Sequence, residues 1–245
     1  MNELWILAHQ DDEIFALSHF EKSNAIPIVC YLTKEISETG ISGLKRMQEA
    51  KRAWENLAPV EAKLISVVNI SADGNLPEVN LANLLQELVD LHIVWNFQRV
   101  ISPTFEGGHQ DHDMTFIVAK KLSKTLKIEH RHFSCYSGGN SMKTSFRYFK
   151  VQKGIQCESA ECTSISTIAQ PAQVTKLILK FTLAYRSQWK GLLGLVPVLV
   201  LNTLKGRTSI HTCVPTETYL SKPLYEIRNR YKSEQFNMWV QSKGD

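Results

Sequence analysis

Residues 4–17 read LWILAHQDDEIFAL, and this stretch decides the fold. An apolar run meets a histidine, a glutamine and three consecutive acids, and then the apolar pattern returns. Residues 3–8 are short and apolar enough for a buried strand. Ile14, Leu17 and Phe20 recur every third residue and predict a helix over 13–22. A strand that feeds a helix through a polar turn is the unit of a parallel sheet, and ligands of such sheets gather beyond the carboxyl ends of the strands. The acids are therefore either a solvated helix start, favoured by the helix dipole, or half of a site.

The alternation continues outward from this unit. IPIVCYLT (26–33), AKLISVV (62–68) and RVISPT (99–104) read as strands, and 43–58, 81–95 and 113–126 read as helices. Ser42 is a candidate N-cap and Pro59 a stop signal for the first of these helices. The pattern predicts an α/β, Rossmann-like three-layer fold with a mostly parallel sheet. Residues 171–189 and 223–241 add helices, while 134–170 reads only as short strands and turns. A single domain spanning 1–245 is expected, with a core of about 1–190 and an irregular C-terminal extension or cap over 191–245.

Composition narrows the classes of function. The net charge is only +4 and the basic residues form no block, which argues against nucleic acid. Five cysteines, an odd number with no common zinc spacing, and an N-terminus without an export leader suggest reduced thiols in a cytoplasmic protein. The apolar run GLLGLVPVLVLNTL (191–204) contains Pro197 and is shorter than the roughly 20 residues of a membrane span. Core packing is expected of it and no membrane contact; a membrane surface or a lipid-linked substrate is the lesser reading. Oligomeric state leaves no mark on the sequence.

A second polar cluster, FEGGHQDHD (105–113), follows the strand at 99–104. Both clusters thus fall at the same edge of the expected sheet. His9 and Asp12 are offset by three residues, as are His109 and His112, so each pair can converge on a point. A catalytic zinc takes three ligands of His, Asp or Glu type and keeps a fourth position open. Gly107 and Gly108 let the second loop approach closely. His19, His92, His130, His132 and His211 fit surface or core positions better, with His211 the one to watch.

These motifs carry a resemblance. AHQDDE (8–13) and GGHQDHD (107–113) resemble the AHPDDE and GGHPDH signatures of the PIG-L/LmbE-like family of zinc-dependent N-deacetylases. RMQEAKRAWENLA (46–58) resembles that family's R-x-x-E-x-x-x-A helix, and AYRSQ (184–188) its Y-x-S-Q stretch. The resemblance implies His9, Asp12 and His112 as metal ligands and Asp11 as general base. It implies a protonated His109 that stabilises the oxyanion and donates to the leaving amine, with Asp111 tuning and orienting it, and Arg46 as a substrate contact. It further implies a zinc ion, with Fe2+ as an alternative metal, and a small-molecule N-acetylated amino sugar of the GlcNAc type as substrate. A di-metal phosphoesterase and a non-catalytic sugar-binding protein on the same fold are the competing readings.

The chain departs from the family pattern at four places. Gln10 and Gln110 stand where both signatures usually carry proline, which removes a φ restraint but no ligand. The loop KEISETG (34–40) lacks the usual glycine-rich or acidic turn, and Gly107 occupies a position where some members carry tyrosine.

Overall fold

The computed structural model describes residues 1–21, 23–34, 43–55, 61–67, 71–135, 168–206, 210–211 and 226. Each strand of the sheet is short, apolar and bounded by polar turns. The strands are β1 (Asn2–Leu7), β2 (Ile26–Tyr31), β4 (Lys63–Ile65), β6 (Phe97–Pro103), β7 (Glu129–Phe133) and β8 (Ile210–His211). They lie in the order β4-β2-β1-β6-β7-β8, parallel throughout except for the antiparallel β7–β8 pair. A separate two-strand ladder pairs β3 (Thr33–Lys34) with β5 (Ser71–Ala72). With that ladder set aside, the five parallel strands follow the 3-2-1-4-5 order of a doubly wound sheet, as expected.

Side-chain alternation along β1 builds the three layers. Leu4 and Ile6 face one apolar cluster with Leu84 and Leu88 of α2 (Leu81–Trp95) and Phe116 and Ile117 of α3 (Gln110–Leu126). Trp5 and Leu7 face the other, with Ala50, Ala53 and Trp54 of α1 (Gly43–Glu55) and Ile178 and Phe181 of α4 (Pro171–Ala184). Period two in the strand thus feeds two separate helix layers.

The order of strands reverses between β1 and β6, and both polar clusters sit just beyond the carboxyl ends of those two strands. A doubly wound sheet opens its ligand crevice at this reversal.

Three expectations change. Residues 12–21 form a 3-10 helix, whose three residues per turn match the 14, 17, 20 spacing better than an α-helix does. The helix expected over 171–189 breaks at Tyr185 (φ −90°, ψ 60°), where the tyrosine hydroxyl and Ser187 turn to buried carboxylates. The extension, expected to be irregular from 191, instead begins with the regular helix α5 (Trp189–Leu204), and Pro197 lies on its exposed side. The strand β7 was hidden because EHRHF alternates no apolar face; its outer half is only partly buried. Apart from residue 226, the helix expected over 223–241 lies outside the described residues, as do the cap at Ser42 and the stop at Pro59.

Candidate metal and catalytic site

The turn after β1 is held in a conformation that an L residue rarely adopts: Asp11 has φ +113°. Several bonds hold it there. The Asp11 N–H donates to Glu13 Oε2 at 3.2 Å, and His9 N–H donates to Asp12 Oδ2 at 2.8 Å. The Arg46 guanidinium donates to the Gln10 carbonyl and sits 3.4 Å from Asp11 Oδ1. Glu13 is itself fully buried, accepting from the hydroxyls of Tyr31 (3.1 Å) and Tyr185, while Trp54 Nε1 donates to Tyr31 at 2.9 Å. Burial pushes the Glu13 carboxyl up to about 8 against the Tyr185 hydrogen bond, and the Asp11 and Asp12 charges add to the rise. The third acid of AHQDDE is therefore an internal tie, and it joins the first motif to the AYRSQ segment. The second such tie is Glu49 of α1, which accepts from Ser187 N at 3.0 Å and from its hydroxyl.

The second loop ends at His109, the N-cap of α3, whose Nδ1 accepts from Asp111 N–H at 3.3 Å. Asp113 is buried and accepts from the N–H groups of Glu106 (2.8 Å) and Gly107 (3.1 Å), folding the glycine turn back onto the helix start. Gly107 has φ +67°, so here glycine is needed.

Three donors converge between the loops. His9 Nδ1 lies 3.2 Å from His112 Nε2, His112 Nε2 lies 3.1 Å from Asp12 Oδ1, and His9 Nδ1 lies 3.7 Å from Asp12 Oδ2. The side chains are 14%, 0% and 2% exposed for His9, His112 and Asp12. Two nitrogens on a tetrahedral zinc, each about 2.05 Å from it, stand about 3.3 Å apart. The observed spacing fits a divalent ion between them, and these donors form one of the groups able to hold one.

Asp111, expected to orient His109, faces His9 instead. Its Oδ2 is 3.2 Å from His9 Nε2 and 4.0 Å from His109 Nδ1. Gly74 N–H (2.6 Å) and Leu76 N–H (3.1 Å) hold the carboxylate there. A carboxylate behind the distal nitrogen of a ligating imidazole is the usual way to fix its ring and tautomer. Burial opposes charge on His9, but its hydrogen bonds to Asp111, Asp12 and Asp73 outweigh it and hold its imidazole well above the usual range. Burial likewise opposes ionised Asp12, and His112 and His9 outweigh it, holding this carboxyl well below its usual range.

The surroundings of His109 oppose the expected imidazolium. Burial pushes it down to about 3, charge on His9 and His112 adds to this, and Asp111 and Asp73 offset it only in part. Its bond from Asp111 N–H occupies Nδ1 and selects the tautomer with the proton on Nε2. Arg46, read as a substrate contact, is 2% exposed and turned toward the Asp11 loop. Gln10 and Gln110, where proline was expected, donate to the carbonyls of Thr33 (3.4 Å) and Gly74 (3.0 Å) and so brace neighbouring loops.

The sequence reading missed Asp73. Its Oδ1 lies 3.0 Å from His9 Nε2 and 3.8 Å from His109 Nε2, and the His9 hydrogen bond lowers its carboxyl well below the usual range. The available signal was the Asp73-Gly74 turn dipeptide, with Gly74 at φ +87°, which marks a turn but no site. A third group, Glu106, His112 and Cys135, lies wholly buried and shares His112 with the first; burial raises the Cys135 thiol well above its usual range.

A Rossmann-like sheet with a His/Asp centre at its reversal point defines the structural class. The model of the PIG-L family, GlcNAc-PI de-N-acetylase, matches residues 4–123. No curated protein matches by sequence. Among solved structures, a deacetylase of teicoplanin biosynthesis in a bog complex aligns with TM-score 0.61 at 15% identity, covering 89% of this chain and 99% of that one. The A40926 pseudoaglycone deacetylase aligns with TM-score 0.59 at 14% identity, over 87% and 96%. The N,N'-diacetylchitobiose deacetylase of Pyrococcus horikoshii aligns with TM-score 0.55 at 14% identity, over 88% and 84%.

Proposed function

We propose that the chain is a metal-dependent N-deacetylase that releases acetate from an N-acetylated amino sugar of the GlcNAc type. The observation that carries this is the convergence of His9 Nδ1, Asp12 and His112 Nε2, with Asp11 in the same turn and His109 beside them. The family match and the deacetylases among the structural neighbours support it.

His9, Asp12 and His112 would hold a zinc ion or another divalent metal. A bound ion of this kind polarises the acyl oxygen and lowers the pKa of water. Asp11 takes a proton from the attacking water and returns it to the nitrogen as the C–N bond breaks, giving acetate and a free amine. His109 donates from Nε2–H to the acyl oxygen as charge builds there. The expected role of His109 as proton donor to the amine passes to Asp11, because His109 carries only the single Nε2 proton in this setting. Asp111 and Arg46 act as positioning residues, the first through His9 and the second through the Asp11 turn. One ion suffices. The second group, His9, Asp73, His109 and Asp111, shares His9 with the first, and backbone N–H groups hold both Asp111 oxygens.

The test is acetate release from N-acetylglucosamine and N,N'-diacetylchitobiose by the zinc-loaded chain. Asp11→Asn is expected to lower kcat about 10²- to 10⁴-fold with bound metal retained. Full activity in that variant contradicts the assignment of the base; phosphoester cleavage without acetate release contradicts the reaction.

A further inference from the structure

Helix α5 buries one face and leaves the other bare. Leu192, Leu195, Leu199 and Thr203 are buried, whereas Trp189 (48% exposed), Leu193 (62%), Leu201 (57%) and Leu204 (55%) lie open. Residues 189, 193, 197 and 201 follow at four-residue steps, so Trp189, Leu193, Pro197 and Leu201 make one continuous stripe. Leu179 and Leu183 of α4, which packs against α5, are also exposed. An outer helix face normally carries charge, yet Lys190 is the only ionic residue in α5.

The charge carried by α4, α5 and their flanking sequence has one sign. Between Glu161 and Glu217 the sequence contains no acidic residue but six basic ones, Lys176, Lys180, Arg186, Lys190, Lys205 and Arg207. Beside Leu183 opens a cleft of ≈ 410 Å³ lined by Arg52, Lys180, Leu183, Ala184 and Arg186. Three cations and no carboxylate line it, and none of the three forms an ion pair with another described residue.

We propose that α4 and α5 form a docking face for an anionic lipid bilayer, with α5 lying in the interface and the Arg52–Lys180–Arg186 cleft receiving a lipid phosphate. An amphipathic helix with Trp and Leu on one face and flanking Lys and Arg binds such a surface in plane. Crossing is excluded for this helix: its 16 residues reach about 24 Å, and no described helix is long and apolar enough to span a membrane. A second copy of the chain is the poorer occupant, because it would set two faces of the same positive charge together. The docking face stands independently of the deacetylase reading, and it revises the core-packing expectation for the 191–204 run.

The test is co-sedimentation of the full chain with phosphatidylcholine vesicles, with and without phosphatidylserine. Binding is expected to the phosphatidylserine vesicles and to weaken as salt rises. Leu193→Glu with Leu201→Glu is expected to weaken it at least about tenfold, and Lys180→Glu with Arg186→Glu to abolish the preference for phosphatidylserine. All four positions are exposed, and circular dichroism checks that the variants fold. No sedimentation of the wild type, equal binding to neutral vesicles, or unchanged binding by the variants overturns the proposal. So does a dimer in gel filtration that the leucine variant dissolves without any lipid binding.

Discussion

The two ends of β1 carry buried clusters of imidazole and carboxylate with opposite characters. At the start of the strand, Glu3 is fully buried and accepts from Trp5 Nε1 (3.1 Å), His19 Nε2 (3.0 Å) and Arg99 (3.3 Å), while the Ser23 hydroxyl approaches to 3.4 Å. The donors all meet this one buried carboxylate, and Arg99 also pairs with Glu129 at 2.6 Å, so every charge here already has a partner within the protein. Burial pushes the Glu3 carboxyl up, but these partners outweigh it and leave it below the usual range. At the far end, two imidazole nitrogens face each other at 3.2 Å beside two acids. A single shared proton joins that pair without filling the space that all three donors address. Burial of titratable groups is common to both ends; convergence of several lone pairs on one point belongs only to the second. The first cluster holds the strand, and the second gathers donors that could hold an ion.

That contrast can be broken in three ways, taken from the largest effect down. Glu3→Gln leaves His19 buried without its carboxylate, while Arg99 keeps Glu129, and is expected to cost about 3 kcal/mol of stability in urea unfolding, with metal content unchanged. A variant as stable as the wild type, or one that loses metal, erases the distinction between the ends. The same residue sets a pH test. Its folded pKa lies below the unfolded value near 4.5, so its contribution is present above that pH and fades as pH falls through the folded value. The wild type is expected to lose more stability than Glu3→Gln between neutral pH and pH values below 4.5, and parallel curves contradict this.

Asp111→Asn sharpens the second end. A carboxylate acting through His9 is expected to weaken metal affinity about 10- to 100-fold on its loss. Retained affinity with a lowered kcat would instead restore the expected link to His109. The smallest effect belongs to Tyr185→Phe, which removes one of two hydroxyls on Glu13 and is expected to cost about 1 kcal/mol with metal retained. A loss well beyond that would mean that the Tyr185 hydroxyl carries more than one bond's share of the Asp11 turn.

The sheet and both loops were legible because periodicity and strand ends are local signals. Trp5 and Leu7 against Leu4 and Ile6 already sort the two layers, and both motifs follow apolar runs. Contacts across the chain were not legible. Nothing in SADGN announces that Asp73 reaches His9, 64 residues away in sequence. The family resemblance also paired Asp111 with His109, two residues away in the chain, whereas the Gly74 and Leu76 amides draw its carboxylate to His9. Helix α5 was legible only in part for another reason: Leu192, Leu195 and Leu199 pack into the core as expected, but composition does not show that Trp189, Leu193, Leu201 and Leu204 face outward.

The most direct measurement is metal bound per chain after zinc loading, for the wild type and His112→Ala side by side. One zinc per wild-type chain, lost in the variant while its fold remains by circular dichroism, is the predicted result. A wild type that takes up no metal, or a variant that holds it as tightly, contradicts the central claim that the two loops form one metal centre.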